Sequence, residues 1–175
     1  MKTTRGNAPR ALTRYGVVVA LLATLTACLA GPAQYYEGTD VHDATAAEVA
    51  GAWESEEGTA MTLRPDGTAT VTRLDGEDFD FDEGWRLSGK GTWSLTDDRN
   101  GQDLRLELTA RTGVDQRADA TMPLPAGTDA PTTYTWRFYV DRNDRRELVL
   151  FFFFGDPDGG STYVMTRKPS ATAAP

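Results

Sequence analysis

Leu104-Arg105-Leu106-Glu107-Leu108-Thr109 alternates three leucines with two charges and a threonine. That period of two suits a strand with one buried face and does not suit a helix. Just upstream, Trp93 and Leu95 alternate with Thr92, Ser94 and Thr96, and Asp97-Asp98-Arg99-Asn100-Gly101 lies between the two runs as a turn. Two alternating runs joined by a Gly/Asn/Asp turn read as a hairpin.

The same pattern extends both ways. Upstream, Met61 and Leu63 alternate with Thr62 and Arg64, Pro65-Asp66-Gly67 turns the chain, and Ala69 and Val71 alternate with Thr70 and Thr72. Proline presets φ in that turn and glycine takes its positive-φ position. Downstream, Tyr134, Trp136, Phe138 and Val140 alternate, and Asp141 to Asp144 turns into Glu147 to Phe154. Gly155-Asp156-Pro157-Asp158-Gly159-Gly160 then turns into Thr162 to Arg167. Arg111 to Pro131 is polar, holds three prolines and reads as a long loop. With Ala52 to Glu54 counted, about eight strands follow one another by hairpins. The fold expected is all-β, an eight-stranded antiparallel meander barrel, because closure removes both sheet edges. A two-sheet sandwich is the alternative. Asp43 to Ala50 reads as a short helix capped by Asp43 and stopped at Gly51.

The chain has 175 residues, 39% of them hydrophobic and 25% charged, a globular balance with room for one domain. Its first 27 residues are of another kind. Lys2, Arg5, Arg10 and Arg14 are their only charges, and Val17 to Ala27 is a short apolar run. A basic start, a stretch too short to span a bilayer and a small residue before a cut are the marks of a signal peptide. Leu25-Thr26-Ala27-Cys28 resembles the lipobox of bacterial lipoproteins, and Cys28 is the one cysteine. The resemblance implies export, cleavage before Cys28 and lipidation of its thiol. The mature protein would then be anchored at the outer face of the cell membrane. The organisation expected is a signal peptide over 1–27, a lipidated N-terminus and flexible tether over 28–44, a β-domain over 45–168 and a disordered tail over 169–175.

Beyond residue 27 there are 14 basic and 26 acidic side chains, a balance of −12. Such a surface repels phosphate polymers, so nucleic acid is excluded as a partner, and attachment to a membrane must come from the lipid. One cysteine permits no internal disulfide, so a packed core must carry stability.

Catalytic chemistry is poorly provided for. The only histidine, His42, lies in the tether and reads as a solvated residue, which removes a Ser-His-Asp triad and a histidine zinc site from the domain. Gly84-Trp85-Arg86-Leu87-Ser88-Gly89-Lys90-Gly91 nearly spells a P-loop. Gly91 stands where a magnesium-binding hydroxyl belongs, however, and a strand follows instead of a helix. Asp75-Gly76-Glu77-Asp78-Phe79-Asp80-Phe81-Asp82-Glu83 concentrates oxygen ligands of the sort calcium prefers, but lacks the spacing of an EF-hand. It reads as a solvated acidic loop with inward phenylalanines. The alternation places Asp and Glu outward or in turns, which leaves a carboxylate hydrolase without an inward pair. No metal, cofactor or catalytic residue is assigned.

Gly51-Ala52-Trp53, after a short helix and opening the first strand, resembles the Gly-x-Trp of lipocalins. That resemblance implies an eight-stranded barrel that carries apolar ligands, with a basic residue near the barrel's end packed over the tryptophan; Arg167 is in the matching place. In a closed meander the first and last strands are neighbours, so Trp53 and Arg167 can meet. Asp66-Gly67-Thr68, Gly91-Thr92-Trp93 and Phe152-Phe153-Phe154-Gly155-Asp156-Pro157-Asp158-Gly159-Gly160-Ser161-Thr162-Tyr163 together resemble small lipoproteins of high-GC actinobacteria. This second resemblance implies no activity. Three functions follow as expectations. The first is a lipid-anchored, non-enzymatic barrel that binds a small apolar ligand or an envelope protein. The second is an interaction protein with a filled core, and the third a carboxylate hydrolase.

Overall fold

The computed structural model of the chain describes residues 36–120, 130–156 and 159–169. A short helix α1 (Ala46–Val49) is followed by eight strands. These are β1 (Gly51–Glu54), β2 (Ala60–Leu63), β3 (Thr68–Asp75), β4 (Trp85–Asp98), β5 (Gly101–Gln116), β6 (Tyr134–Arg142), β7 (Leu148–Phe153) and β8 (Thr162–Arg167). A 3-10 helix, Phe79–Glu83, sits between β3 and β4. Each strand pairs with the next, and β1 pairs antiparallel with β8 through Trp53–Arg167 and Glu54–Thr166. The sheet is therefore a closed barrel, and the sandwich alternative falls away.

Eight strands enclose a space just wide enough for side chains to fill. The alternating residues fill it: Trp53, Met61, Leu63, Leu87, Leu104, Leu106, Trp136, Phe138, Leu150, Phe152, Tyr163 and Met165 are each 0–2% exposed. The residues that make β5 legible as a strand are the ones that pack. Gly89 and Gly91 sit beside register shifts in the β4–β5 ladder, where an added Cβ would strike the backbone oxygens of Ala110 and Glu107. These glycines let two long strands approach closely while they bend, which accounts for the P-loop lookalike by backbone packing.

Three expectations on local structure are corrected. Helix α1 is capped by Thr45, not Asp43: the Thr45 hydroxyl accepts from the Glu48 amide while the Glu48 carboxylate accepts from the Thr45 amide. This capping box satisfies two otherwise orphaned donors, and Asp43 pairs with Arg142 instead. β5 continues to Gln116, through the start of the stretch read as a loop, because β4 begins at Trp85 and offers a partner as far as that residue. The segment from Tyr36 to Ala44, assigned by composition to the tether, lies along the barrel. The Asp40 amide donates to the Asn100 carbonyl, the Gln102 amide donates to the Val41 carbonyl, the Gln102 side chain exchanges hydrogen bonds with the Ala44 backbone, and Ala44 is buried. Ser170 to Pro175 lies outside the described residues.

Candidate functional site

The two ends of the barrel are closed by different means. At the end where β1 begins, Gly51 has φ +152°, and a Cβ there would strike Nη1 of Arg167. The guanidinium carbon of Arg167 lies 5.1 Å from the Trp53 ring, and its Nη1 donates to the Ala50 carbonyl at 3.2 Å. The indole N–H of Trp53 donates to the Val49 carbonyl at 2.9 Å, which ties the helix to the ring. Helix, tryptophan and arginine form a plug.

At the far end, polar groups are buried. Asp75 and Arg86 are cross-strand neighbours on β3 and β4, 0% and 4% exposed. Arg86 Nε donates to Asp75 Oδ2 at 3.0 Å, and Arg86 Nη2 donates to the Thr59 hydroxyl at 3.0 Å. Tyr163 donates to Asp75 Oδ2 at 3.0 Å, and its oxygen also lies 2.5 Å from the Thr59 hydroxyl and 3.3 Å from that of Ser55. Thr59 in turn donates to the Arg73 carbonyl. The cluster binds the β1–β2 connection, β3, β4 and β8 into one knot. Asp75 Oδ1 has no hydrogen-bond partner among the described residues and faces Arg117 Nη1 at 3.8 Å. Burial pushes the Asp75 carboxyl upward in pKa, against the pull of Arg86, of the Tyr163 hydroxyl and of Arg117. Asp75 departs from the expected outward placement of carboxylates. The register of the β3–β4 ladder shifts between Val71 and Leu74, with Arg73 at φ 57°, so Leu74 and Asp75 are both buried. Such a bulge re-aims the side chains that follow it.

The 3-10 helix lies over this knot. Phe81 packs 4.1 Å from Phe154, and Arg117 stacks 3.5 Å over the Phe81 ring. Phe79 points the other way and is 62% exposed, so of the two phenylalanines expected inside only Phe81 is packed. The carboxylates of the acidic run disperse. Glu77 accepts from the Arg137 amide, Asp80 from the Tyr134 hydroxyl at 2.7 Å, and Glu83 from the Trp85 indole at 2.5 Å. Burial, with Asp78 and Asp80 nearby, pushes the Glu77 carboxyl up to about 8.

No family model, curated protein or solved structure matches the chain.

The functional reading therefore rests on the residues themselves. The knot holds one carboxylate and no imidazole, and its Ser55 and Thr59 hydroxyls touch hydroxyls, a guanidinium and a carbonyl. A hydroxyl becomes a nucleophile when a base stands beside it; the one carboxylate of the knot, Asp75, accepts from the Tyr163 hydroxyl and is held by Arg86. These bonds fasten the β1–β2 connection, β3, β4 and β8 to one another. His42 bonds to Asp97 at 2.7 Å on the barrel's outside. Leu25, Thr26, Ala27 and Cys28 lie outside the described residues, as do Pro157 and Asp158 of the C-terminal motif. Phe152 and Tyr163 of that motif stack in parallel at 4.8 Å inside the barrel.

Sequence reasoning missed Asp75, Arg86, Thr59 and Tyr163 as partners. Thr59 and Tyr163 are 104 residues apart, and no local period brings them together. It also missed Tyr36, which packs edge-on against Tyr139, Phe151 and Phe153 at 5.0, 5.8 and 5.3 Å on the outside of β6 and β7.

Proposed function

We propose that this chain is a lipid-anchored, non-enzymatic interaction module at the outer face of the cell membrane, and that it works through the outside of its barrel. The observation that supports this reading is the filled interior. Three tryptophans, two phenylalanines and Tyr163 are at most 2% exposed within the eight strands. A carrier of apolar ligands needs a cavity of roughly 300 Å³ or more inside. A hollow of about 620 Å³ lies outside the barrel beside α1, an open groove lined by charged residues such as Glu48, Arg142, Arg146 and Lys168. Anchoring rests on the lipobox resemblance around Cys28, and the balance of −12 supplies no electrostatic substitute for it.

Two measurements test the reading. Protein from the producing host, examined by native mass spectrometry after delipidation of its N-terminus, should show the bare chain, and a long-chain fatty acid should not raise its melting temperature. A retained apolar molecule, or a saturable rise, would replace the interaction module by a carrier. Separately, Cys28→Ser should release or stall the protein. If that variant matures normally and stays on membranes at high salt, the anchor is wrong.

A further inference from the structure

The outside of the barrel is not uniform. Along β7 and β8 the outward residues are Val149, Phe151, Phe153, Thr162, Val164 and Thr166. None is charged, in a mature chain with 40 charged side chains. Tyr139, Phe151 and Val164 form one row across three strands, as direct cross-strand partners. Val164 is 40% exposed, and Phe79, whose neighbour Asp78 donates its amide to the Phe153 carbonyl, is 62% exposed beyond the end of β7. By contrast the outer faces of β4 and β5 carry Lys90, Arg105 and Glu107 among threonines and serines.

Tyr36 is seated on this strip, and it is where the described chain begins. Eight residue steps separate it from Cys28. Even fully extended they reach at most ~29 Å. A domain of this size is about 35 Å across, so the path around to the opposite wall is longer than the chain allows. The wall opposite Tyr36 is therefore out of reach of a bilayer held by a lipid on Cys28, and the side carrying Tyr36 lies nearest to it.

We infer that the outer face of β7 and β8, with Tyr36, Tyr139 and Phe79 at its edges, rests in the interfacial layer of the lipid bilayer. The inference depends on the proposed lipidation of Cys28. Aromatic rings that are apolar in body and polar at the tip suit the headgroup level. The contact is apolar and not electrostatic: Asp141 and Glu54 end the row through Val149 and Thr166, and Glu56 and Glu57 lie beside Thr162 and Val164, so zwitterionic lipid is favoured over anionic lipid at low salt.

The test uses the full lipidated protein in phosphatidylcholine vesicles. Cys28 is consumed by its lipid, so a thiol introduced by Val164→Cys or by Thr72→Cys is the only one available for an environment-sensitive fluorophore. Thr72 is exposed on β3, three strands away around the barrel. The label at 164 should shift to the blue and be quenched several-fold more strongly by headgroup nitroxide lipids than the label at 72. Tyr36→Ala should narrow that difference, and replacing half the lipid with phosphatidylglycerol at low salt should weaken both signals. Flotation of each sample separates the two ideas. Protein that fails to float removes the anchor and this face with it. Protein that floats with equal quenching at both positions leaves the anchor standing and overturns the face. A shift at 164 that follows protein density in the vesicle, and not lipid, would assign the strip to a second copy and overturn the proposal equally.

Discussion

The α1 end and the far end of the barrel are shut by opposite strategies. At the α1 end a capped helix, an indole and one guanidinium form a plug of separate single contacts: Thr45 with Glu48, Trp53 with Val49, Arg167 with Ala50. At the far end a carboxylate and a guanidinium are taken out of water and bound by each other and by hydroxyls from the β1–β2 connection and β8, with Asp75 Oδ1 left without a hydrogen bond among the described residues. The first design loses little when Thr45, Glu48 or Arg167 is removed, because those side chains are exposed. The second is strict. An ion pair in the interior costs desolvation that only good geometry repays, and breaking it leaves a charge stranded.

That contrast predicts its largest effect at Asp75. Asp75→Ala leaves the Arg86 guanidinium buried against hydroxyls alone, and should destabilise the domain by about 3–5 kcal/mol, read as a lowered urea midpoint. Replacing the pair together, with Asp75→Leu and Arg86→Met, should recover most of the loss, since a buried pair exchanged for well-packed apolar groups is often close to neutral. A single substitution costing under ~1 kcal/mol would mean that water reaches the pair as it does a surface salt bridge, and the two ends would no longer differ in kind.

Acidity sharpens the comparison next. Glu77 holds its proton up to about pH 8 in the folded chain because burial and the neighbouring Asp78 and Asp80 oppose its charge. In the unfolded chain it loses that proton near the ordinary glutamate value. Between those two values the folded state binds more protons, so stability falls as pH rises through the window and levels off above about 8. The loss should be on the order of 2 kcal/mol, after discounting for the carboxylate's partial contact with solvent. Thermal melts of the parent chain should therefore weaken from pH 5 to pH 9. Glu77→Gln should flatten the trend. An unchanged slope in that variant would move the cause elsewhere.

The two ends also differ in how far they could be read in advance. The barrel was legible because alternation in Trp93 to Thr96, Leu104 to Thr109 and Tyr134 to Val140 reports directly which side chains pack. The α1 end carries local signals, Gly51-Ala52-Trp53 among them, and even the misplaced cap was written in Thr45 and Glu48. The far end has no such signal. Asp75 sits in a run of carboxylates that looks solvated, and the bulge at Arg73 that buries it interrupts the period used to assign faces. Its partners Arg86, Thr59 and Tyr163 meet only once the barrel has closed. The uncharged strip on β7 and β8 was visible as Val149 to Phe153, but a strand with phenylalanines at consecutive positions does not declare which of its faces is outside.

The smallest effect belongs to Arg167, and it tests whether the plug is held by contact or only decorated by it. The guanidinium lies 5.1 Å over the Trp53 ring at a largely exposed site. Such a pair contributes about 0.5–1 kcal/mol. Arg167→Lys keeps the charge but loses the flat face and its reach to the Ala50 carbonyl, so most of that amount should disappear. Gly51 supplies the decisive control, because it sits directly beneath Nη1 of Arg167. Gly51→Ala in the parent chain pays twice, once for a side chain at φ +152° and once for the collision with the guanidinium. In an Arg167→Ala background the collision is gone and only the backbone term remains. Urea denaturation of the four chains should therefore give a smaller cost for Gly51→Ala when Arg167 is absent. Equal costs in the two backgrounds would show that Arg167 swings clear of Trp53 in solution, and that the helix and the indole close this end without it.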